Sequence, residues 1–123
     1  NSSKARYISR RVTVPRELSA SDIRVFLSVY KPSGSDVKIF VKYSDGEIDI
    51  NNAPYMQLEV RNNDDNYTST SEFDFRDVEY YLKSEDYESI GSGNLKTFVV
   101  KICLFGNHYQ VPKVKDLRVI ALD

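Results

Sequence analysis

Cysteine, histidine, methionine and tryptophan are almost missing from this chain, and each shortage removes a class of chemistry. One cysteine, Cys103, excludes an intrachain disulfide. Its place in an alternating apolar run marks it as a small buried residue rather than a reactive thiol. One histidine, His108, leaves zinc without a ligand set. A Ser-His-Asp or Cys-His device would have to pass through that residue, which sits in a Gly-Asn-His-Tyr turn with no nucleophile elbow nearby. No apolar run approaches the ~20 residues of a membrane span, and no apolar stretch near Asn1 reads as a secretory signal. No glycine-rich phosphate loop follows a strand pattern. The sequence therefore predicts no enzyme, no cofactor and no metal.

What is present is alternation. Ile23, Val25, Leu27 and Val29 fall on every second position, and so do Val37, Ile39, Val41 and Tyr43. A period of two with β-branched residues on one side means a half-buried strand. Ser28 lies on the opposite side and is expected to accept an acid. Pro32 and Gly34 break the pattern between the two runs, which either pair as a hairpin or arch from one sheet to another. Weaker alternation marks a strand over 6–14, with Ile8, Val12 and Val14 on one side and Arg10 interrupting them. Met56, Leu58 and Val60 read as one inward row. Phe98, Val100, Ile102 and Leu104 make a strong strand, and 114–122 a last one. Over 72–83, Phe73 and Phe75 alternate, then Val78, Tyr80 and Leu82 do so after a one-residue slip. This predicts a long strand with a bulge near Arg76-Asp77. Residues 61–71 read as a mobile polar loop.

Seven to eight strands with regular turn signals and no helical period predict an all-β fold, an antiparallel β-sandwich of jelly-roll-like kind. The 123 residues suit one domain, 1–123. It would bury roughly two thirds of its unfolded surface, enough for a core without staples. The absence of an initiator Met predicts a piece of a longer protein.

Net charge is −1, so bulk electrostatics favour neither nucleic acid nor an anionic membrane. Charge is nevertheless segregated. Residues 44–88 hold thirteen acids against Arg61, Arg76 and Lys83, whereas the first sixteen residues carry Lys4, Arg6, Arg10, Arg11 and Arg16 with no acid. Two partner-binding surfaces follow. One is the outer side of the central strands, where Phe26, Tyr30 and Phe40 sit among Arg24, Lys38 and Lys42; several contiguous aromatics facing water suggest a contact. The other is the basic start, Arg6, Arg10 and Arg11, which suits an acidic neighbour such as the 44–88 region of another copy. An alternative is carbohydrate binding, with the loop tyrosines Tyr67, Tyr87 and Tyr109 as stacking platforms.

Three stretches together carry a resemblance: Ala-Arg-Tyr-Ile-Ser-Arg-Arg-Val-Thr at 5–13; Ser-Asp-Ile-Arg-Val-Phe-Leu-Ser-Val-Tyr-Lys-Pro-Ser-Gly-Ser-Asp-Val-Lys-Ile at 21–39; and Val-Pro-Lys-Val-Lys-Asp-Leu-Arg-Val-Ile-Ala-Leu at 111–122. In order and content they resemble a module repeated in large virion structural proteins of tailed phages, especially contractile-tailed cyanophages and their T4-like relatives. Phe-Val-Val-Lys-Ile at 98–102 is similar to that module's penultimate strand. Residues 44–72 do not match in detail. The resemblance implies a non-enzymatic module in a phage tail or baseplate. Its partners would be other virion proteins, other domains of the same chain, or further copies in a homo-oligomer.

Asp45, Glu47 and Asp49 alternate after an Asp-Gly turn but miss the spacing of a calcium loop. Millimolar calcium, or a chelator, is expected to leave the Tm unchanged. A rise of several degrees with calcium would make that loop a site.

Overall fold

Alternation fixes the inner faces. In the computed structural model, which describes residues 4–13, 22–44, 49–82, 97–107 and 109–122, the expected inward rows at 23–29, 37–41 and 98–102 are in the core. Strands β1 (Lys4–Thr13), β2 (Asp22–Tyr30), β3 (Asp36–Ser44), β4 (Met56–Gln57), β5 (Glu59–Val60), β6 (Phe75–Tyr81), β7 (Thr97–Gly106) and β8 (Lys113–Leu122) form two antiparallel sheets. Their orders are β1-β7-β3-β4 and β5-β6-β2-β8. Ile23, Val25, Leu27 and Val29 from β2 meet Val37, Ile39 and Val41 from β3 across the sandwich, with Phe98, Val100 and Ile102 alongside. Single 3₁₀ turns at Ile50–Asn52 and Arg61–Asn63 are the only helical elements among the described residues. No helix among them is long and apolar enough to cross a membrane.

The connection between β2 and β3 is an arch, because β3 pairs with β7 and β2 with β6 and β8. Its tight turn is closed by Ser35 N–H donating to Pro32 O at 3.1 Å. Gly34 sits third in that turn with φ +76°, the left-handed position a type II turn reserves for glycine.

The row Met56, Leu58, Val60 is also inward, but it is not one strand. β4 pairs with β3 and β5 pairs with β6. The chain changes sheet at Leu58, which is buried and whose N–H donates to Ile39 O at 2.9 Å. One residue thus closes one side of the sandwich.

The expected bulge at Arg76-Asp77 is not there. β6 runs in unbroken register from Phe75 opposite Tyr30 to Tyr81 opposite Arg24. The slip between Phe75 and Val78 is a change of face: Val78, Tyr80 and Leu82 are in the core, Phe75 is on the outer face, and Phe73 precedes the strand, 82% exposed. The bulge lies in β8, where the register against β2 shifts between Phe26 and Ser28. Asp116 takes φ +54° there, a conformation that a short polar side chain tolerates better than most. The extra residue keeps Val114, Leu117 and Val119 against the core on both sides of the irregularity.

The 61–71 loop, expected to be mobile, is tied down. Lys31 and Ser69 exchange bonds, Ser69 N–H to Lys31 O and Lys31 N–H to Ser69 Oγ, both at 2.8 Å. The Lys31 ammonium donates to Asp65 O at 2.6 Å. Asn62 and Asn63 both take φ +56°, which accounts for paired asparagines at that corner.

Ser28 lies on the outer side as expected, yet it is only 7% exposed. It stands opposite Asp77 on one neighbouring strand and Lys115 on the other.

Leu27→Asp and Ile102→Asp are each expected to abolish the cooperative transition in chemical denaturation. An unpaired core carboxylate costs several kcal/mol, against a total stability of about 5–15 kcal/mol. Ser28→Asp keeps the fold with a loss of about 1 kcal/mol, since the new charge meets one like and one opposite group. Gly34→Ala meets no atom within 4 Å, so its cost of about 1–2 kcal/mol comes from the left-handed backbone alone. Equal midpoints for all four variants would show the register to be wrong.

Candidate interaction surfaces

The outward positions of β6, β2 and β8 form three rows of aromatics and charges. At one end Tyr30 lies beside Phe75, ring centroids 5.9 Å apart and tilted by 42°. The Lys115 ammonium stands 4.2 Å from the Phe75 ring centre, and Lys113 6.0 Å from that of Tyr30. In the middle Arg118 covers Phe26 at 5.3 Å. Beyond it, Glu79 takes Arg24 at 3.2 Å and Arg61 at 3.3 Å. Arg61 also lies 4.1 Å over Tyr81, whose hydroxyl donates to Glu59. Each cation–π contact at an exposed site contributes about 0.5–1 kcal/mol, and each partly exposed ion pair about 0–1 kcal/mol. Phe26 and Tyr30 are consequently half-buried under their own cations.

Phe40 does not join them. The arch at Pro32–Ser35 sends β3 into the other sheet, so Phe40 faces out from the opposite side of the sandwich. The expected single aromatic face is two faces. Around Phe40, Lys101 lies 5.4 Å from its ring and 4.0 Å from that of Tyr55. Lys42 covers Tyr55 at 4.8 Å and Lys38 covers Phe105 at 5.4 Å. Cys103 on the adjacent strand is buried with a free thiol, and burial pushes that thiol up from its ordinary value, as expected of an inert cysteine.

Arg6, Arg10 and Arg11 lie in β1, opposite Leu104, Val100 and Val99 of β7. The basic start is thus a paired strand at the edge of its sheet.

The three loop tyrosines separate. Tyr67 is built into the fold. Its hydroxyl donates to Val29 O at 2.6 Å, its ring packs against the core, and Arg76 lies 4.5 Å over it. Burial raises its hydroxyl pKa to about 12. Tyr87 lies outside the described residues, as do His108, Asp45 and Glu47. Tyr109 is 90% exposed. Asp49 caps the first 3₁₀ turn by accepting from Asn51 N–H. No group of three or more potential metal-ligating side chains gathers among the described residues.

Two exposed aromatics share one end of the sandwich. Tyr30, the last residue of β2, stands opposite Phe75 and Lys113, the first residues of β6 and β8. Phe73 and Tyr109 lie just ahead of those strands. Each is held on a hydrogen-bonded turn. Around Phe73, Ser71 O accepts from Asp74 N–H, Phe73 O accepts from Phe75 N–H, and Asp74 clamps Arg76 with two bonds of 3.1 Å. Around Tyr109, the Asn107 side-chain oxygen accepts from both Tyr109 N–H and Gln110 N–H at 2.8 Å. A Cβ on Gly106 would stand 2.1 Å from Gln110 O, so that turn requires glycine. The sequence placed Phe73 inward; the parity change before Val78 fits a bulge or a change of face alike, and the unbroken pairing of β6 with β2 decides for the second.

At the closed side of the sandwich an open groove of about 440 Å³ is lined by Gln57, Leu58, Glu59, Val60, Asn63 and Asp65. No protein family model, no curated protein and no solved structure matches this chain.

Tyr67→Phe is expected to cost about 1 kcal/mol in denaturation, the worth of one buried hydrogen bond; no change would return Tyr67 to the list of free platforms. Asp74 is held down from 3.8 to about 2, first by its hydrogen bond from Arg76 and then by Thr70 N–H. Because the folded value is depressed, the clamp's stabilisation is present above pH 4 and is lost as pH falls through about 2. The Thr70 amide shift should titrate with that low midpoint, and a midpoint near 3.8 would remove the clamp.

Proposed function

We propose that this chain is a non-catalytic module of a phage tail or baseplate structural protein, whose work is to hold neighbouring chains or domains in place. The virion assignment is supported by the resemblance over 5–13, 21–39, 98–102 and 111–122. The observation that carries the assembly reading is the pair Phe73 and Tyr109, 82% and 90% exposed, at one end of the sandwich. Large aromatics standing in water on hydrogen-bonded turns are the raw material of interface anchors, and holding them in place beforehand lowers the ordering cost of binding. Tyr30 and Phe26 continue the same surface along β2. Phe40, on the far side, belongs to a different contact.

Carbohydrate binding is the second reading, and Tyr109 is the observation that favours it, since its ring is open for stacking. Tyr67 is not available to it.

In the parent protein, Phe73→Ser with Tyr109→Ser is expected to shift stability by no more than about 0.5 kcal/mol, as exposed substitutions do, and to block incorporation into tails. Normal incorporation of the folded double variant would overturn the assembly reading. Glycan-array binding that is lost in Tyr109→Ala would replace it with the carbohydrate one.

A further inference from the structure

The outer row of β8 is cationic and evenly spaced, and the bulge makes it so. Lys113, Lys115 and Arg118 stand opposite Tyr30, Ser28 and Phe26, three alternate residues of β2. Lys115 and Arg118 are three positions apart, so strict alternation would turn one of them toward the core. The irregularity at Asp116 places both outward, with Val114, Leu117 and Val119 inward. All three cations are exposed. Their charged ends lean from β8 over the sheet face. Lys113 lies 6.0 Å from the Tyr30 ring and Arg118 5.3 Å from that of Phe26, and Lys115 reaches across β2 to within 4.2 Å of the Phe75 ring. Among the described residues none of the three forms an ion pair, and neither does Asp77 or Asp116. Glu79 is already taken by Arg24 and Arg61. The face therefore holds cations that rings orient and no carboxylate neutralises.

We propose that this face binds an extended acidic segment of a neighbouring chain, with carboxylates at alternate positions. This rests on the assembly reading above and names the chemistry of the partner. Alternate side chains of an extended strand recur every ~7 Å, which is also the spacing of the three β2 positions that the cations face. A carboxylate meets a ring-supported cation from its open side, so the rings need not be uncovered first. The ring beneath each long side chain also holds it in place beforehand, which lowers the ordering cost of the ion pair. A ligand that binds by stacking, such as a base or a pyranose, would have to displace those same cations, so single-stranded nucleic acid and sugars suit this face less well. Beyond Arg118 the row ends on Ile120, exposed and opposite Arg24. An apolar residue two positions after the acids completes the match.

The test is an NMR titration of this chain with the peptide Thr-Glu-Thr-Glu-Thr-Glu-Thr-Val and with an isomer in which the glutamates are adjacent. At about 20 mM salt the alternating peptide is expected to shift the amides of Lys113, Lys115 and Arg118 and to bind at least about threefold tighter than the isomer; at about 300 mM it should lose about tenfold or more, as screening shortens the Debye length. Lys113→Gln with Lys115→Gln and Arg118→Gln should weaken binding at least about tenfold, the joint effect of three exposed ion pairs. Denaturation midpoints establish that this variant folds, and Lys113→Gln with Arg118→Gln replaces it if it does not. No binding by wild type at low salt, binding that survives the folded variant, or equal binding of the two peptides overturns the proposal. Tighter binding of oligothymidylate or polygalacturonate, lost in the same variant, overturns the choice of a polypeptide. Absent peptide binding with tail incorporation still dependent on Phe73 and Tyr109 rejects the acidic partner alone. Peptide binding with incorporation indifferent to those aromatics rejects only their role as anchors.

Discussion

The turn at Pro32-Ser33-Gly34-Ser35 is the constraint on which the rest of the structure depends. Gly34 at φ +76° lets the chain leave one sheet and enter the other within a few residues. Because β2 and β3 are not partners, their apolar rows face each other across the core instead of lying side by side. Most other connections repeat the move: β1 to β2, β4 to β5, β6 to β7 and β7 to β8 all change sheet. Only β3–β4 and β5–β6 join hydrogen-bonded neighbours. The pairings that bury the core are therefore far apart in sequence, as with β1 on β7 and β2 on β8. Loop closure must precede that burial, and a fold of this kind forms slowly.

That arch also shows where sequence reading stops. A period of two assigns each residue to the inner or outer side of its own strand, and it did so correctly from Ile23 to Val29, from Val37 to Val41 and at Leu58. It does not say which sheet a strand joins. Phe26 and Phe40 look alike by parity, yet the arch places them on opposite sides of the molecule. The slip between Phe75 and Val78 was visible, but a bulge and a change of face leave the same trace. Only pairing with β2 distinguishes them, and it assigns Phe75 to the outside. The true bulge, at Asp116, was legible in principle: Lys115-Asp116 puts two polar residues where alternation calls for one. Tyr67 was beyond reach, because its hydrogen bond to Val29 O joins residues 38 positions apart.

The outer face of β6, β2 and β8 resolves a tension in its composition. Aromatics promote strand formation and invite unwanted association. Here cations from neighbouring strands cover them, Arg118 over Phe26 and Lys115 over Phe75. The rings are left partly accessible, and any partner approaching them must displace or accommodate a cation. Among the described residues no cation covers Phe73 or Tyr109, so a partner meeting either ring would have none of these to displace.

Charge segregation along the sequence is not carried into one side of the fold. Among the described acids of the middle stretch, Glu59 and Asp65 line the groove at Leu58, whereas Asp77 and Glu79 stand on β6. A long free edge is a standing invitation to pair with any extended chain, and natural sheets commonly blunt it with lysine and with bulges. β8 has both, in Lys113, Lys115 and the irregularity at Asp116. With Arg118, the same cations lie over Tyr30, Phe75 and Phe26. One set of residues thus opposes indiscriminate edge pairing and covers the outer aromatics, so the two protections need not be separate devices in this fold.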